Sequence, residues 1–368
     1  MQYKEYGKTG KKVSVIGFGG MRFRKEDYNE SLEKSAEVVR YASSLGINYF
    51  DTAPMYCHDK SEEIMGAAFK KMPNPFYVST KSNVNSEPTA DDLRRRVEKS
   101  LMRLGVDKIN FMHMWCILNL DHYKKVIAKG GPYEGALKLK EEGLIDHITF
   151  STHASGEEIE AMVKDGRWEG VTLGYNATNF AFRQKGIKAA YEQGLGVVTM
   201  NPLGGGIIPQ NPDFYSFIKE NEEDTLAQAA LKFNVSHKEI TIALAGMGTI
   251  EEVKENVKAG DSIKVFTEEK LRLMENHLNN SLDSLCTGCG YCKGCPVGID
   301  IPKYMDAYNM FILKKEDKSI EDRLKWHWGL KINGAADCIA CGKCEKLCTQ
   351  HLPIIERLKH IANIKKDV

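Results

Sequence analysis

Between residue 13 and about residue 265, short apolar runs alternate with helix-length segments eight times over. The strand-like runs are 13–18, 47–50, 76–80, 109–113, 147–151, 171–173, 196–200 and 240–245. Most lack strict alternation of apolar and polar residues, the pattern of parallel strands covered on both faces. Residues 31–45 set Leu32, Ala36, Val39, Ala42 and Leu45 on one helical face and stop at Gly46. The helix predicted over 89–104 opens on Thr89 with Asp92 in capping-box spacing, and another over 250–257 follows the last strand. Eight βα units in about 250 residues match a closed (β/α)8 barrel. A doubly wound sheet would carry a glycine-rich fingerprint after its first strand, and the run Gly17, Phe18, Gly19, Gly20, Met21 is not G-x-G-x-x-G. The predicted class is therefore α/β, with a TIM barrel over residues 1–280 that a helix near 268–278 closes.

The remaining segment, 281–368, is constrained by cysteine. Eight of the ten cysteines fall in two runs, Cys286, Cys289, Cys292, Cys295 and Cys338, Cys341, Cys344, Cys348. Successive two-residue gaps let one loop wrap an iron–sulfur cubane, so two runs predict two [4Fe–4S] clusters. Structural zinc prefers C-x2-C pairs set further apart, and disulfides need an oxidising compartment. Between the runs, a helix is expected with Asp300 as its cap, Pro302 in its first turn, and Tyr304, Tyr308 and Phe311 on one face. A second is expected to open on Ser319 with Asp322 and to end at Gly329. The segment resembles an α-helical ferredoxin. That resemblance implies crossed ligation: Cys286, Cys289, Cys292 and Cys348 on one cluster, Cys338, Cys341, Cys344 and Cys295 on the other. Thr349 stands where a proline often follows the last cysteine.

Composition adds exclusions. A chain of 368 residues, 42% hydrophobic, suits one large domain and one small one. A net charge of +1 gives no basic excess for nucleic acid. No apolar stretch approaches the roughly 20 residues that span a bilayer, and the N-terminus has no apolar signal core. With thiolates that need a reducing milieu, the expected compartment is the cytoplasm.

Barrel enzymes place their chemistry at the C-terminal ends of the strands. Here the second strand ends in Asp51, Thr52, Ala53 and, three residues on, Tyr56; the third ends in Lys81; the fourth reaches His113. Singly, Asp51 reads as a turn residue, Lys81 as a surface cation and His113 as a core histidine. Together, at neighbouring strand ends, they resemble the tetrad of the aldo-keto reductase family, and residues 6–14 resemble its barrel-plugging hairpin. The resemblance covers about residues 1–265. It implies carbonyl–alcohol interconversion with Tyr56 as general acid/base. A phenol with a pKa near 10 is a reluctant acid at neutral pH, and an adjacent ammonium favours phenolate. Lys81 is thus expected to lower the Tyr56 pKa, Asp51 to hold Lys81, and His113 to orient the carbonyl oxygen.

The resemblance also implies a nicotinamide cofactor, NAD(P)H. Ser151 matches the serine that holds the carboxamide; Gly204, Gly205 and Gly206 offer bare backbone to the pyrophosphate; Gly246 precedes a helix N-terminus; Glu255 and Asn256 match the adenine-contacting pair. Thr152, Thr172 and Met200 replace the family's asparagine, glutamine and aromatic. No Lys or Arg lies between 246 and 252 to meet a 2′-phosphate, Gly248 and Glu252 standing there instead, so NAD versus NADP stays open. Met21, Phe23, Met55 and Trp115 are candidates for an apolar mouth, with Cys57 and Cys116 nearby. The expected partner is a small carbonyl or alcohol. A second reading lets the clusters pass single electrons to or from the barrel site or a redox protein. A third, a non-catalytic electron-transfer or regulatory subunit, is opposed by the complete tetrad.

Overall fold

Among the described residues ten strands form, and their partners decide their roles. β1 (Tyr3–Glu5) and β2 (Lys12–Ser14) pair antiparallel as a hairpin. β3 (Ile16–Gly19), β4 (Tyr49–Asp51), β5 (Tyr77–Asn83), β6 (Ile109–Ile117), β7 (Ile145–Thr152), β8 (Gly170–Gly174), β9 (Gly196–Met200) and β10 (Ile242–Gly246) close a parallel barrel, β10 returning to β3. The computed structural model describes residues 1–178, 180–278, 285–286 and 290–364. Cys289 and the expected 280/281 boundary lie outside the described residues.

The predicted run 13–18 is two strands rather than one. Val13 and Ser14 pair in the hairpin and Ile16 begins the barrel, because the Val15 N–H still bonds the hairpin side at Gln2 O while its C=O accepts from Ala243 N of the barrel. The hairpin closes the N-terminal end of the barrel through Tyr6. This fully buried ring lies 4.2 Å from Phe111 and 6.1 Å from Tyr49, centroid to centroid. It rests on the first residues of β8 and β9, where a Cβ on Gly170 would come within 2.3 Å of the Tyr6 hydroxyl and one on Gly196 within 2.2 Å of the ring. Only glycine leaves room there. Val13, Val198, Ile242 and Leu244 complete this interior layer.

The barrel's larger core lies between strands and helices, where Ala36, Val39 and Ala42 bury the inner face of the helix Leu32–Ser44. Its cap Ser31 accepts from the Glu33 N–H. Thr89 and Asp92 form the expected reciprocal capping box of Ala90–Leu104, and Thr249 with Glu252 forms another on Ile250–Val257.

The C-terminal segment builds a second core around Ile301, Tyr304, Met305, Leu324, Leu352 and Leu358. Its helix Ile301–Lys314 starts at Asp300 without a side-chain cap bond, since that carboxylate pairs instead with Lys303 at 2.8 Å. The next helix opens at Asp317, not at Ser319, whose hydroxyl donates to Glu316 O at 2.6 Å from inside the first turn. It runs into a π-helical turn, Arg323–Trp328, that ends on Gly329 at φ 63° as expected. Among the described residues no helix is long and apolar enough to cross a membrane.

Candidate active site and cysteine loops

Parallel pairing brings the ends of β4, β5 and β6 side by side: Asp51 is in register with Ser79, and Lys81 with His113. Lys81 Nζ donates to Asp51 Oδ2 at 2.6 Å and to Thr52 O at 2.8 Å, while Ser79 Oγ donates to Asp51 Oδ1 at 2.7 Å. Lys81 and Asp51 are only 2% and 3% exposed, so each needs the other. Burial alone would push the Lys81 ammonium down, but Asp51 and Tyr56 outweigh it and hold the pKa above the ordinary value.

Tyr56 sits in the following loop, where Met55, Cys57, His58 and Asp59 all take positive φ. The Lys81 ammonium lies over its ring, 5.0 Å from the centroid. Burial pushes the phenol pKa up; Lys81 pulls it down and Asp51 adds to the rise. The net direction is upward. The expected lowering by Lys81 is therefore present as one contribution, but burial exceeds it. His113 is fully buried, and Thr149 Oγ1 holds its Nδ1 at 2.7 Å. That leaves Nε2 turned to Tyr49 OH, 3.5 Å away, and Asp51 Oδ1, 3.8 Å away. Burial, then Lys81, keeps the imidazole well below its usual pKa and hence neutral.

Across the mouth, Ser151 on β7 and Thr172 on β8 are register partners. Both are buried, and among the described residues neither hydroxyl has a hydrogen-bond partner. Two orphan hydroxyls side by side fit a polar ligand such as an amide. Thr152 does not serve as the family's asparagine, because its hydroxyl donates to Ile117 O at 2.6 Å and accepts from Ala154 N at 3.0 Å. Met200 packs against the barrel's inner layer. Gly204, Gly205 and Gly206 have φ of 63°, 71° and 96°, so the loop after β9 presents backbone that a side chain would strain.

Gly246 is needed for packing, since its Cβ would stand 2.5 Å from Arg22 Cγ. At Gly248 the clash would be with Arg22 O, at 2.7 Å. The loop after β3 thus crosses residues 246–248 and brings there Arg22 and Arg24, cations that lie far from 246–252 in the sequence. Glu252 already accepts from the Gly248 and Thr249 N–H groups at 2.6 and 3.2 Å. Glu255 is engaged too, accepting from Thr225 Oγ1 at 2.6 Å, and Asn256 is buried. Of the candidate mouth residues, Met21 and Met55 are exposed and Trp115 is half-buried. Phe23 instead packs in the core, 5.7 Å from Phe18. Cys57 Sγ donates to Gly20 O at 3.5 Å, and the buried Cys116 acts electrostatically on Tyr56.

Among the cysteine runs, Cys292 is buried, Cys341 is exposed, and Cys286, Cys295, Cys338, Cys344 and Cys348 are half-buried. Among the described residues, which omit Cys289, no three His, Cys, Asp or Glu gather as for a single metal ion. The surroundings fit an anionic thiolate-bound cluster. Leu352 N donates to Cys348 Sγ at 3.3 Å, and Asn309 clamps the Cys286 backbone with bonds of 2.7 and 2.8 Å. Arg357 is 4% exposed, lies 4.9 Å over the Tyr308 ring, and acts electrostatically on Cys286 and Cys348. Its Nη1 has no partner among the described residues.

A buried guanidinium ties this segment to the barrel mouth, and at the surface Arg323 Nη2 also reaches Gln210 Oε1 at 3.3 Å. The fully buried Arg183 donates to Gly174 O at 2.8 Å, His153 O at 3.1 Å and Thr349 O at 3.2 Å, joining the ends of β7 and β8 to the residue after Cys348. Beside it the His153 and Tyr291 rings meet edge to face at 5.0 Å. Burial, then Arg183, lowers the His153 pKa to about 3. Ser79, Thr149, Arg183 and Arg357 carry no local motif, and the sequence alone did not single them out.

Residues 15–279 match the model of the aldo/keto reductase family, and residues 285–353 match that of a 4Fe-4S dicluster domain. L-galactose dehydrogenase of Arabidopsis thaliana is 27% identical over 285 residues, covering 70% of this chain and 88% of that relative. The holo form of an aldo-keto reductase from Bacillus halodurans superposes with a TM-score of 0.63 at 22% identity, covering 75% of this chain and 96% of its own. An aldo-keto reductase from Klebsiella pneumoniae in complex with NADPH gives 0.62 at 20% identity, covering 75% and 95%. At these identities the structural likeness establishes the fold.

Proposed function

Because the chain belongs to the aldo/keto reductase family and continues into a 4Fe-4S dicluster domain, we propose that it interconverts a small carbonyl and its alcohol, with Tyr56 as the general acid/base. In this reading residues 1–280 carry that chemistry and residues 281–368 hold two [4Fe–4S] clusters. The observation that carries it is the buried Asp51–Lys81 pair, 2.6 Å apart, with the ammonium 5.0 Å over the Tyr56 ring. In reduction Tyr56 gives its proton to the carbonyl oxygen; in oxidation its phenolate takes one back. Lys81 stabilises the phenolate as it forms, Asp51 keeps Lys81 charged and aimed, and neutral His113 orients the oxygen.

A nicotinamide cofactor, when bound, supplies or accepts the hydride at carbon. Ser151 and Thr172 would hold its carboxamide, Gly204, Gly205, Gly206 and Gly246 its pyrophosphate, and Glu255 and Asn256 its adenine end. The orphan hydroxyls of Ser151 and Thr172 support this assignment, as does the NADPH of the Klebsiella structure. Cys286, Cys289, Cys292 and Cys348 would ligate one cluster, Cys338, Cys341, Cys344 and Cys295 the other.

A second reading, in which the clusters exchange single electrons with the barrel site or a redox protein, draws support from the Arg183 bridge to Thr349. Both readings are tested with anaerobically purified protein. Carbonyl reduction is assayed with NADH and NADPH over aldehydes and ketones, in the native chain and in Tyr56→Phe. Undiminished turnover in the variant removes the proposal. Cluster absorbance is followed in parallel. Bleaching by a nicotinamide favours electron exchange with the barrel site, and bleaching by dithionite alone rejects that exchange.

A further inference from the structure

Two buried arginines outside the proposed proton chemistry sit at the segment that follows Cys348. Arg357 comes from the last helix, Ile354–Asn363, and Arg183 from the barrel helix Phe180–Glu192. They are 4% and 0% exposed. Arg183 reaches the carbonyl of Thr349, the residue after Cys348. Arg357 lies 4.9 Å over the ring of Tyr308, whose neighbour Asn309 clamps the Cys286 backbone, and it keeps a spare buried N–H at Nη1. A buried guanidinium is costly without a counter-charge, and a cluster held by thiolates is an anion.

The other cysteine loop has a different setting. Cys341, Lys343 and Lys346 are exposed, as is Ile339 at 61%. Cations on that loop are screened by water and salt. Water reaching Cys341 also favours a reduced cluster, so two effects compete for where an electron settles. A fixed charge in a low-dielectric interior, with an N–H to give to a sulfur, is the stronger of the two.

We propose that Arg357 is the counter-cation of the cluster held by Cys286, Cys292 and Cys348. It makes that cluster the higher-potential member of the pair. A single electron shared between the clusters then rests beside the barrel mouth rather than at the surface. The inference builds on the crossed ligation put forward above.

The test is an anaerobic potentiometric titration of the iron-loaded protein, followed by electron paramagnetic resonance. Arg357→Gln with full iron and sulfide content should lower the higher midpoint while the lower stays. The preference between clusters should fall at least tenfold, about 59 mV for a one-electron couple. Arg357→Lys should recover part of the shift. Unmoved midpoints, or movement of the lower one alone, overturn the proposal. If Arg357→Gln loses iron, Cys348→Ser and Cys341→Ser decide. The first should perturb the higher-potential signal and the second the lower, and the reverse assignment overturns the proposal. Perturbation of one and the same signal by both rejects the crossed ligation, and the arginine assignment falls with it.

Discussion

Tyr56 has to release a proton while its surroundings hold the phenol above its ordinary range. The sign has a kinetic consequence. A raised pKa keeps the acid form present through neutral pH, so reduction should stay level and decline only as pH climbs through the raised value. Oxidation needs phenolate and should gain with pH over the same interval. Lys81 is the main opposing influence, so Lys81→Met should displace both limbs to still higher pH. Stranding Asp51 would cost about 3–5 kcal/mol, so the comparison is cleanest in a Lys81→Met, Asp51→Asn double variant. Paired pH–rate profiles check this, and limbs that do not move exclude the tuning role. Tyr56→Phe should lose roughly 10²- to 10⁴-fold in kcat, the usual share of a positioned acid, with circular dichroism unchanged. Ser151→Ala should weaken nicotinamide binding by about 1 kcal/mol, roughly fivefold in Kd, as one hydrogen bond is lost. Fluorescence titration reads that, and an unchanged Kd would take Ser151 out of the cofactor site.

The hairpin β1–β2 depends on two glycines far from it in sequence. Gly196→Ala would set a methyl 2.2 Å from the Tyr6 ring, and overpacking of this kind costs about 1–3 kcal/mol. Its denaturation midpoint should drop, and Tyr6→Leu in the same chain should restore part of it. A midpoint equal to that of the native chain would mean that the hairpin does not press on the barrel floor. The barrel was readable because parallel strands covered on both faces become unbroken apolar runs, and the tetrad because strand ends collect the chemistry. Other elements were misread for definite reasons. Val13 and Ile16 are apolar on either side of a change of partner, and periodicity does not register where Val15 changes partner. The spacing of Ser319 and Asp322 imitates a helix start, although the chain is already helical at Asp317. Arg22 reaches Gly246 only because β3 and β10 are neighbours in the closed barrel, a contact that no local window contains.

At the scale of the whole molecule, the most buried tie between the barrel and the cysteine segment is the set of backbone carbonyls gathered by Arg183. Removing that guanidinium leaves buried acceptors unpaired at about 1–3 kcal/mol each. Arg183→Met should therefore raise hydrogen exchange around His153 and around Thr349 together, with Arg183→Lys intermediate. Faster exchange on one side alone would mean that Arg183 does not join the two. The exposure of the cysteine loops is also one-sided: Cys341 faces solvent while Cys292 is 8% exposed. Oxidants attack accessible sulfur first. On the proposed ligation, air would strip the molecule in order, the outer iron first and the inner only after the tail has opened. A preparation that has lost half its iron would then be one defined species, corroded at its tip and intact at the barrel, rather than a mixture of full and empty chains.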